Sequence, residues 1–301
     1  MNEPKYTNIV FAGGGSKGIS YIGTIKALND TEAIKNIMKI IGTSVGSIFA
    51  VIAGCKCTNY ELDQYANKFL HDLTTNSASK GFFDGGIKSI LKKGVNMYLG
   101  LGIHSNEFIY DSINSFLLGK YGIKNMTFEQ YFEATNMDIT IVGTCMTTRT
   151  IEYFNTLTHS KMEIAKAVQI STAIPIYFSM VEWNGMMWID GGVGENFALD
   201  YFDSNYESYD PNTLGFFLKS SVNVGQQYII KTPVDLIEGV ESIAYESSIR
   251  KSIKDASRRS IVYIDTGLIS GINFMLSEDD KTFLIMSGYY ATIDFLTKSN
   301  V

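Results

Sequence analysis

Five residues, Gly42-Thr43-Ser44-Val45-Gly46, set a serine between two glycines at a spacing suited to nucleophilic chemistry. They follow the apolar run Met38 to Ile41 and precede the apolar stretch Ser47 to Gly54, so a strand, a turn and a helix succeed one another. Small residues two before and two after the serine permit a sharp turn that lifts its hydroxyl above a sheet, near the amides of a helix start. The setting is that of a nucleophile elbow; the plainer alternative is a glycine turn with a capping serine. A serine nucleophile needs a base, and the chain has 3 histidines, His71, His104 and His159. In the chain order Ser…Asp…His the histidine comes last, yet none follows His159. A triad would have to combine His104 or His159 with Asp84 or Asp111, and neither histidine lies in a motif. All three read as surface or hydrogen-bonded side chains. A carboxylate is better placed. The apolar run Met186 to Ile189 delivers Asp190 into Gly191-Gly192, where missing side chains let other backbone approach. The same letters at Asp84-Gly85-Gly86 follow Phe82-Phe83 without a comparable strand and read as a loop.

A second glycine-rich segment, Gly13-Gly14-Gly15-Ser16-Lys17-Gly18, lies between a short apolar strand and a helical pattern through Ile19, Ile22 and Ile25. Glycines there free backbone amides to face an anion at a helix N-terminus. Taken alone it fits a dinucleotide-binding loop, which calls for an acidic residue about 20 positions on, at the end of the second strand. That strand ends instead in Gly42-Thr43-Ser44. A phosphate-binding P-loop is excluded, because no Lys-Ser or Lys-Thr pair follows Gly18.

These residues must be positioned by a sizeable core. The chain has 301 residues, 45% hydrophobic and 19% charged, which rules out intrinsic disorder. Its formal net charge of -6 argues against nucleic acid as a partner. Three cysteines, Cys55, Cys57 and Cys145, make neither a disulfide framework nor a four-ligand zinc site, and no acid-rich calcium loop is visible, so no metal or cofactor is expected. The start, MNEPKYTN, has no basic region followed by an apolar run. The most apolar stretch, Met38 to Cys55, is interrupted well short of the roughly 20 residues of a spanning helix. A cytoplasmic protein follows as the expectation. Strands are predicted at Asn8–Ala12, Met38–Ile41, Asp138–Gly143, Met187–Asp190, Leu214–Leu218 and Ile261–Asp265, alternating with helical patterns. Such a series predicts an α/β fold with a mostly parallel sheet flanked by helices. Ser277 followed by Glu278, Asp279 and Asp280 caps a closing helix in which Met286, Tyr290, Ile293 and Leu296 recur at helical spacing. With 4 prolines and no linker, residues 1–301 read as one domain, with a motif-bearing core at about 8–200 and a C-terminal strand and helices at 201–296.

In order, GGGSKG, GTSVGS, STAIPIYF (Ser171 to Phe178) and WIDGGV resemble the patatin-like phospholipase family, and the similarity runs from about Asn8 to Leu296, including VYIDTGLIS. The resemblance implies a three-layer patatin-like fold and a lipid acyl hydrolase of phospholipase A or lysophospholipase type. It implies Ser44 as nucleophile, Asp190 as its only catalytic partner and the Gly13, Gly14 and Gly15 amides as an oxyanion hole. It accounts for the missing histidine. Lys17 takes the basic position of the glycine loop, which the resemblance puts beside the site; a solvated lysine at a helix start is the other reading. After Asp-Gly-Gly-Val this chain has Gly194-Glu195-Asn196-Phe197 where the family often has Asn-Asn-Pro, a departure in the turn behind the aspartate. An aspartate is a weak base, so its site is expected to be desolvated. The implied partner is a phospholipid or other acyl-ester lipid, met at a membrane surface. Gly81 to Ile103 reads as an apolar cover or an ordinary loop and helix. The stretch Val234 to Ser260, ending in Arg250, Lys251, Lys254, Arg258 and Arg259, reads as a helix that touches anionic headgroups or is simply solvated. A catalytically silent lipid-binding or regulatory module of the same fold is the rival function, and a dinucleotide-binding protein the weaker one.

Overall fold

The computed structural model describes residues 6–73, 102, 104–204, 209–220, 230, 239, 243 and 259–298. The cover expected over Gly81 to Ile103, apart from Gly102, the Asp84-Gly85-Gly86 loop, and nearly all of the Val234 to Ser260 stretch lie outside the described residues.

The strands are β1 (Asn8–Phe11), β2 (Lys39–Thr43), β3 (Asp138–Cys145), β4 (Thr150–Phe154), β5 (Val181–Trp183), β6 (Met186–Asp190), β7 (Thr213–Lys219) and β8 (Ser260–Asp265). The helices are α1 (Ser20–Asp30), α2 (Val45–Gly54), α3 (Asn59–Leu73), α4 (Glu107–Tyr121), α5 (Phe128–Thr135), α6 (Thr156–His159), α7 (Ile164–Ser171) and α8 (Glu278–Lys298). All eight strands among the described residues join one sheet, and the run β3-β2-β1-β7-β8 is parallel throughout. Strands β7 and β8 therefore extend the same sheet that carries the motif-bearing strands. Apolar side chains alternate between the two faces, as a pleated strand requires. Ile9, Phe11, Ile40, Ile141 and Phe216 enter the larger core beneath α1 and α2. Val10, Ile41, Val142 and Phe217 enter a smaller one closed by Phe197, Ala198 and Leu199.

Strands β4, β5 and β6 run antiparallel to their neighbours. For β6, which ends in Asp190, the cause of its pairing with β5 is local. Asn184 and Gly185, at φ 51° and 70°, form the two-residue turn between β5 and β6. Asn-Gly favours such a turn because both residues tolerate positive φ and its twist matches the flanking strands.

The closing helix begins as expected. Asp280 N–H donates to Ser277 Oγ at 3.1 Å, while Ser277 N–H donates to Asp280 Oδ2 at 3.2 Å. Of the four residues at helical spacing, Leu296 is buried and Ile293 is half-buried, but the rest of the buried face differs. Met286 and Tyr290 are exposed, and Leu284, Gly288, Thr292 and Leu296 are buried. The reason is the closeness of α1: a Cβ on Gly288 would lie 1.9 Å from Ser20 O, and one on Gly23 1.8 Å from Ile285 O. Small residues, not large apolar ones, define this seam. Arg259 also departs from the solvated or headgroup-facing role read for it. Its guanidinium is buried, bonded to Asp203 at 2.5 Å and to Leu199 O at 2.9 Å, and stacked over Tyr209.

Candidate active site

The register of β3 brings the two chemical motifs together. Strand β4 occupies one edge of β3 across Ile141 to Cys145, so β2 and β6 must share the other. They reach it from opposite directions and meet end to end, with Thr43 opposite Val142 and Asp190 opposite Gly143. The residue after Thr43 is Ser44. A parallel strand and an antiparallel strand thus deliver a serine and an aspartate to one point.

Ser44 leaves β2 with φ 52° and ψ -127°, as the N-cap of α2. Positive φ is costly for a residue with a Cβ, and its surroundings hold it there. Ser47 N–H and Ser47 Oγ donate to Ser44 O at 2.8 and 2.6 Å. The two flanking glycines answer to a close approach: a Cβ on Gly42 would sit 2.2 Å from Gly46 O. Ser44 Oγ donates to Asp190 Oδ2 at 2.7 Å, and both residues are 5% exposed. The other carboxylate oxygen, Oδ1, accepts from Gly192 N–H at 2.6 Å, which fixes the rotamer that aims Oδ2 at the serine. Neither described histidine side chain belongs to a triad motif: His104 packs on Tyr177, and His159 packs against Phe154 and Trp183 with Nδ1 on Thr158 Oγ1. Burial lowers the His159 pKa. His71 falls in α3, and its side chain lies outside the described residues.

The glycine loop comes from the end of β1, and its three amides differ. Gly13 N–H donates to Asn196 O at 3.0 Å, so it is engaged within the loop framework instead of facing a substrate. Among the described residues no partner is present for the Gly14 or Gly15 N–H. Gly15 has φ 56°, and a Cβ there would meet Gly271 O at 2.0 Å. Ser16 continues the clasp, its N–H donating to Gly271 O at 2.7 Å and its Oγ to Ser270 O at 3.0 Å. Lys17 is half-buried in the following 3-10 turn, Gly15–Ile19, and is not among the residues lining the cavity described below.

That cavity opens beside Ser44 and Gly15. Val45, Ile48 and Phe49 of the elbow helix, Leu62 and Ala66 of α3, and Ile109 of α4 line it. Thr172, Ile174, Phe178 and Phe274 line it from the other segments, with Ser16, Ile19, Ile22 and Tyr65. A largely apolar chamber with the Ser44 hydroxyl in its wall has room for a hydrocarbon chain.

Residues without a role in the sequence reading hold this arrangement. Thr43 Oγ1 donates to Glu195 O at 3.0 Å, and the adjacent Asn196 takes the Gly13 amide, so the turn after Asp190 ties all three motifs together. Tyr153 donates to Glu195 Oε2 at 2.5 Å; burial, then that carboxylate, pushes the phenol pKa up. The departure from the family pattern at Gly194 to Phe197 was the available signal for this turn.

The patatin-like phospholipase family model matches residues 9–203, a span that holds all four sequence motifs. The chain belongs to the patatin-like phospholipase family. Among its relatives is the probable lipid hydrolase 463L of Invertebrate iridescent virus 6, 29% identical over 199 residues, covering 66% of this chain and 64% of that protein. Protein R571 of Acanthamoeba polyphaga mimivirus is 26% identical across 96% of this chain and 93% of its own length. The fold is shared with VipD from Legionella pneumophila, at a TM-score of 0.60 and 16% identity over 98% of this chain and 67% of VipD.

Proposed function

We propose that this patatin-like protein is a lipid acyl hydrolase with Ser44 as nucleophile and Asp190 as base. The hydrogen bond of 2.7 Å between their side chains, at the wall of an apolar cavity, carries this reading. Family membership and the likeness to a protein described as a probable lipid hydrolase support lipid hydrolysis as the activity. The proposed substrate is a phospholipid or another acyl-ester lipid, of the phospholipase A or lysophospholipase class, reached at a membrane surface.

Ser44 Oγ attacks the ester carbonyl as its proton passes to Asp190 Oδ2. Negative charge develops on the carbonyl oxygen, and the Gly14 and Gly15 N–H groups stabilise it. Collapse expels the alcohol, which takes the proton from Asp190 and leaves an acyl-serine. Water, deprotonated by Asp190, then attacks the acyl carbon, and the fatty acid departs as Ser44 regains its proton.

The test is labelling by a fluorophosphonate probe, with and without phospholipid vesicles, on the wild type, Ser44→Ala and Asp190→Asn, the adduct being located by mass spectrometry. The expected result is a label on Ser44, absent in Ser44→Ala and slowed about 100-fold or more in Asp190→Asn, the usual scale of lost general-base catalysis. A wild type that stays unlabelled with and without vesicles would favour the silent binding module. Rates unchanged in Asp190→Asn would remove Asp190 from the chemistry.

A further inference from the structure

The segment Ser171 to Phe178 contributes to the family likeness, yet the reaction above assigns it no chemistry. In the fold it lies between the nucleophile and the base. Strand β2 stops pairing with β3 at Thr43, because the next position on β3, Gly143, is taken by Asp190. Ser44 N–H therefore leaves the sheet ladder in a buried place where an unpaired amide is costly. Ser171, the last residue of α7 and fully buried, meets that need: Ser44 N–H donates to Ser171 Oγ at 2.9 Å. Two residues later, Asp190 N–H donates to Ala173 O at 2.9 Å. One short stretch thus holds the backbone of both reacting residues, while its neighbours Thr172 and Ile174 line the cavity.

From these contacts we infer that Ser171 is a positioning residue: its hydroxyl oxygen secures the Ser44 amide and the left-handed backbone that turns Ser44 Oγ onto Asp190. The inference rests on the Ser44 and Asp190 reading proposed above. It has a second consequence. With its own amide committed to Ser171, Ser44 offers no donor to the developing oxyanion, which leaves that task to the Gly14 and Gly15 side of the site. Ser171 is itself absent from the cavity wall, so its loss should slow the chemical step and leave binding of the acyl group unchanged.

The experiment is fluorophosphonate labelling read as a maximal rate and a half-saturating probe concentration. It compares wild type, Ser171→Ala, Ser171→Thr and Ser171→Cys with Thr292→Val. Thr292 is an equally buried hydroxyl in α8, bonded to Gly288 O at 2.7 Å, outside all four motifs and not among the residues lining the cavity. Ser171→Ala is expected to lose roughly 10- to 100-fold in maximal rate at an unchanged half-saturating concentration, the range set by one unpaired buried amide. Ser171→Thr, which keeps the hydroxyl, should recover most of the rate, and Thr292→Val should stay within about twofold of wild type despite a lowered Tm. If Ser171→Ala does not fold, Ser171→Thr against Ser171→Cys makes the same comparison, since a thiol is a weak acceptor. Ser171→Ala rates within twofold of wild type would overturn the positioning role, as would equal losses in Thr292→Val. A wild type unlabelled at Ser44 would overturn the hydrolase reading and the role built on it, an outcome distinct from both.

Discussion

At the residue scale the site depends on backbone held where side chains rarely allow it. Ser44 at φ 52° carries strain of about 1–3 kcal/mol, typical of such positions, and the hydrogen bonds to Ser47 and Ser171 offset it. Gly15 is constrained differently, by its own φ of 56° and by a carbonyl 2.0 Å from where a Cβ would stand. Gly15→Ala should therefore displace the loop from Gly271 and carry the Gly14 and Gly15 amides with it. The expected outcome is a drop of about 100-fold or more in hydrolysis with the circular dichroism spectrum retained, the order of loss seen when an oxyanion donor is removed. Gly185→Ala is the matched control. It too needs positive φ, yet its Cβ would meet nothing within 4 Å, so it should cost stability and not activity. Equal activity in the two variants would detach the glycine loop from the reaction.

At the element scale, two kinds of contact decide where things lie, and they differ in how visible they are in the sequence. Strands β1, β2, β3, β6, β7 and β8 were legible because their apolar runs are broken by glycine and polar turns. The elbow was legible because Gly42, Ser44 and Gly46 are local to one turn. The hairpin sense of β6 was also written locally, in Asn184-Gly185, but an apolar run ending in aspartate gives no direction by itself. What could not be read is the meeting of β2 and β6 on one edge of β3, since that depends on a partner far away in the chain. The seam between α1 and α8 misleads for a related reason. Hydrophobic spacing pointed to Met286 and Tyr290, whereas the helices touch through Gly23 and Gly288, whose lack of bulk permits the approach. Gly288→Ala should then push α8 off Ser20 O and cost about 1–3 kcal/mol, the usual penalty of overpacking. Tyr290→Ala should stay within about 0.5 kcal/mol, as for an exposed position. Urea denaturation separates the two, and a neutral Gly288→Ala would mean that the seam yields readily.

At the scale of the whole molecule, the matched family span ends at residue 203 while the site draws on residues beyond it: Ser270 and Gly271 clasp the glycine loop, and Phe274 lines the cavity. The buried pair Asp203 and Arg259 joins these two parts, one partner at the end of the matched span and the other leading into β8. Arg259→Ala would leave Asp203 buried without its countercharge, a loss of about 3–5 kcal/mol, whereas the double change Asp203→Leu with Arg259→Met should recover most of it. Urea midpoints of the three proteins test this, and a double variant no better than the single one would mean that other contacts close the molecule. The cavity is likewise a product of distant segments, with walls from α1, α2, α3 and α4, the Thr172 to Phe178 stretch and Phe274. Ala66 is the smallest side chain that α3 contributes to it. Ala66→Phe would fill space on the α3 side of the cavity, so it should discriminate by chain length: kcat/KM for a long-chain acyl ester should fall by about tenfold, in keeping with the roughly 1–3 kcal/mol that one methylene is worth in such a pocket, while a short-chain ester is cleaved as before. A uniform loss across chain lengths would mean instead that the bulk at position 66 is transmitted to the elbow, and that the chamber shapes the nucleophile more than it measures the chain.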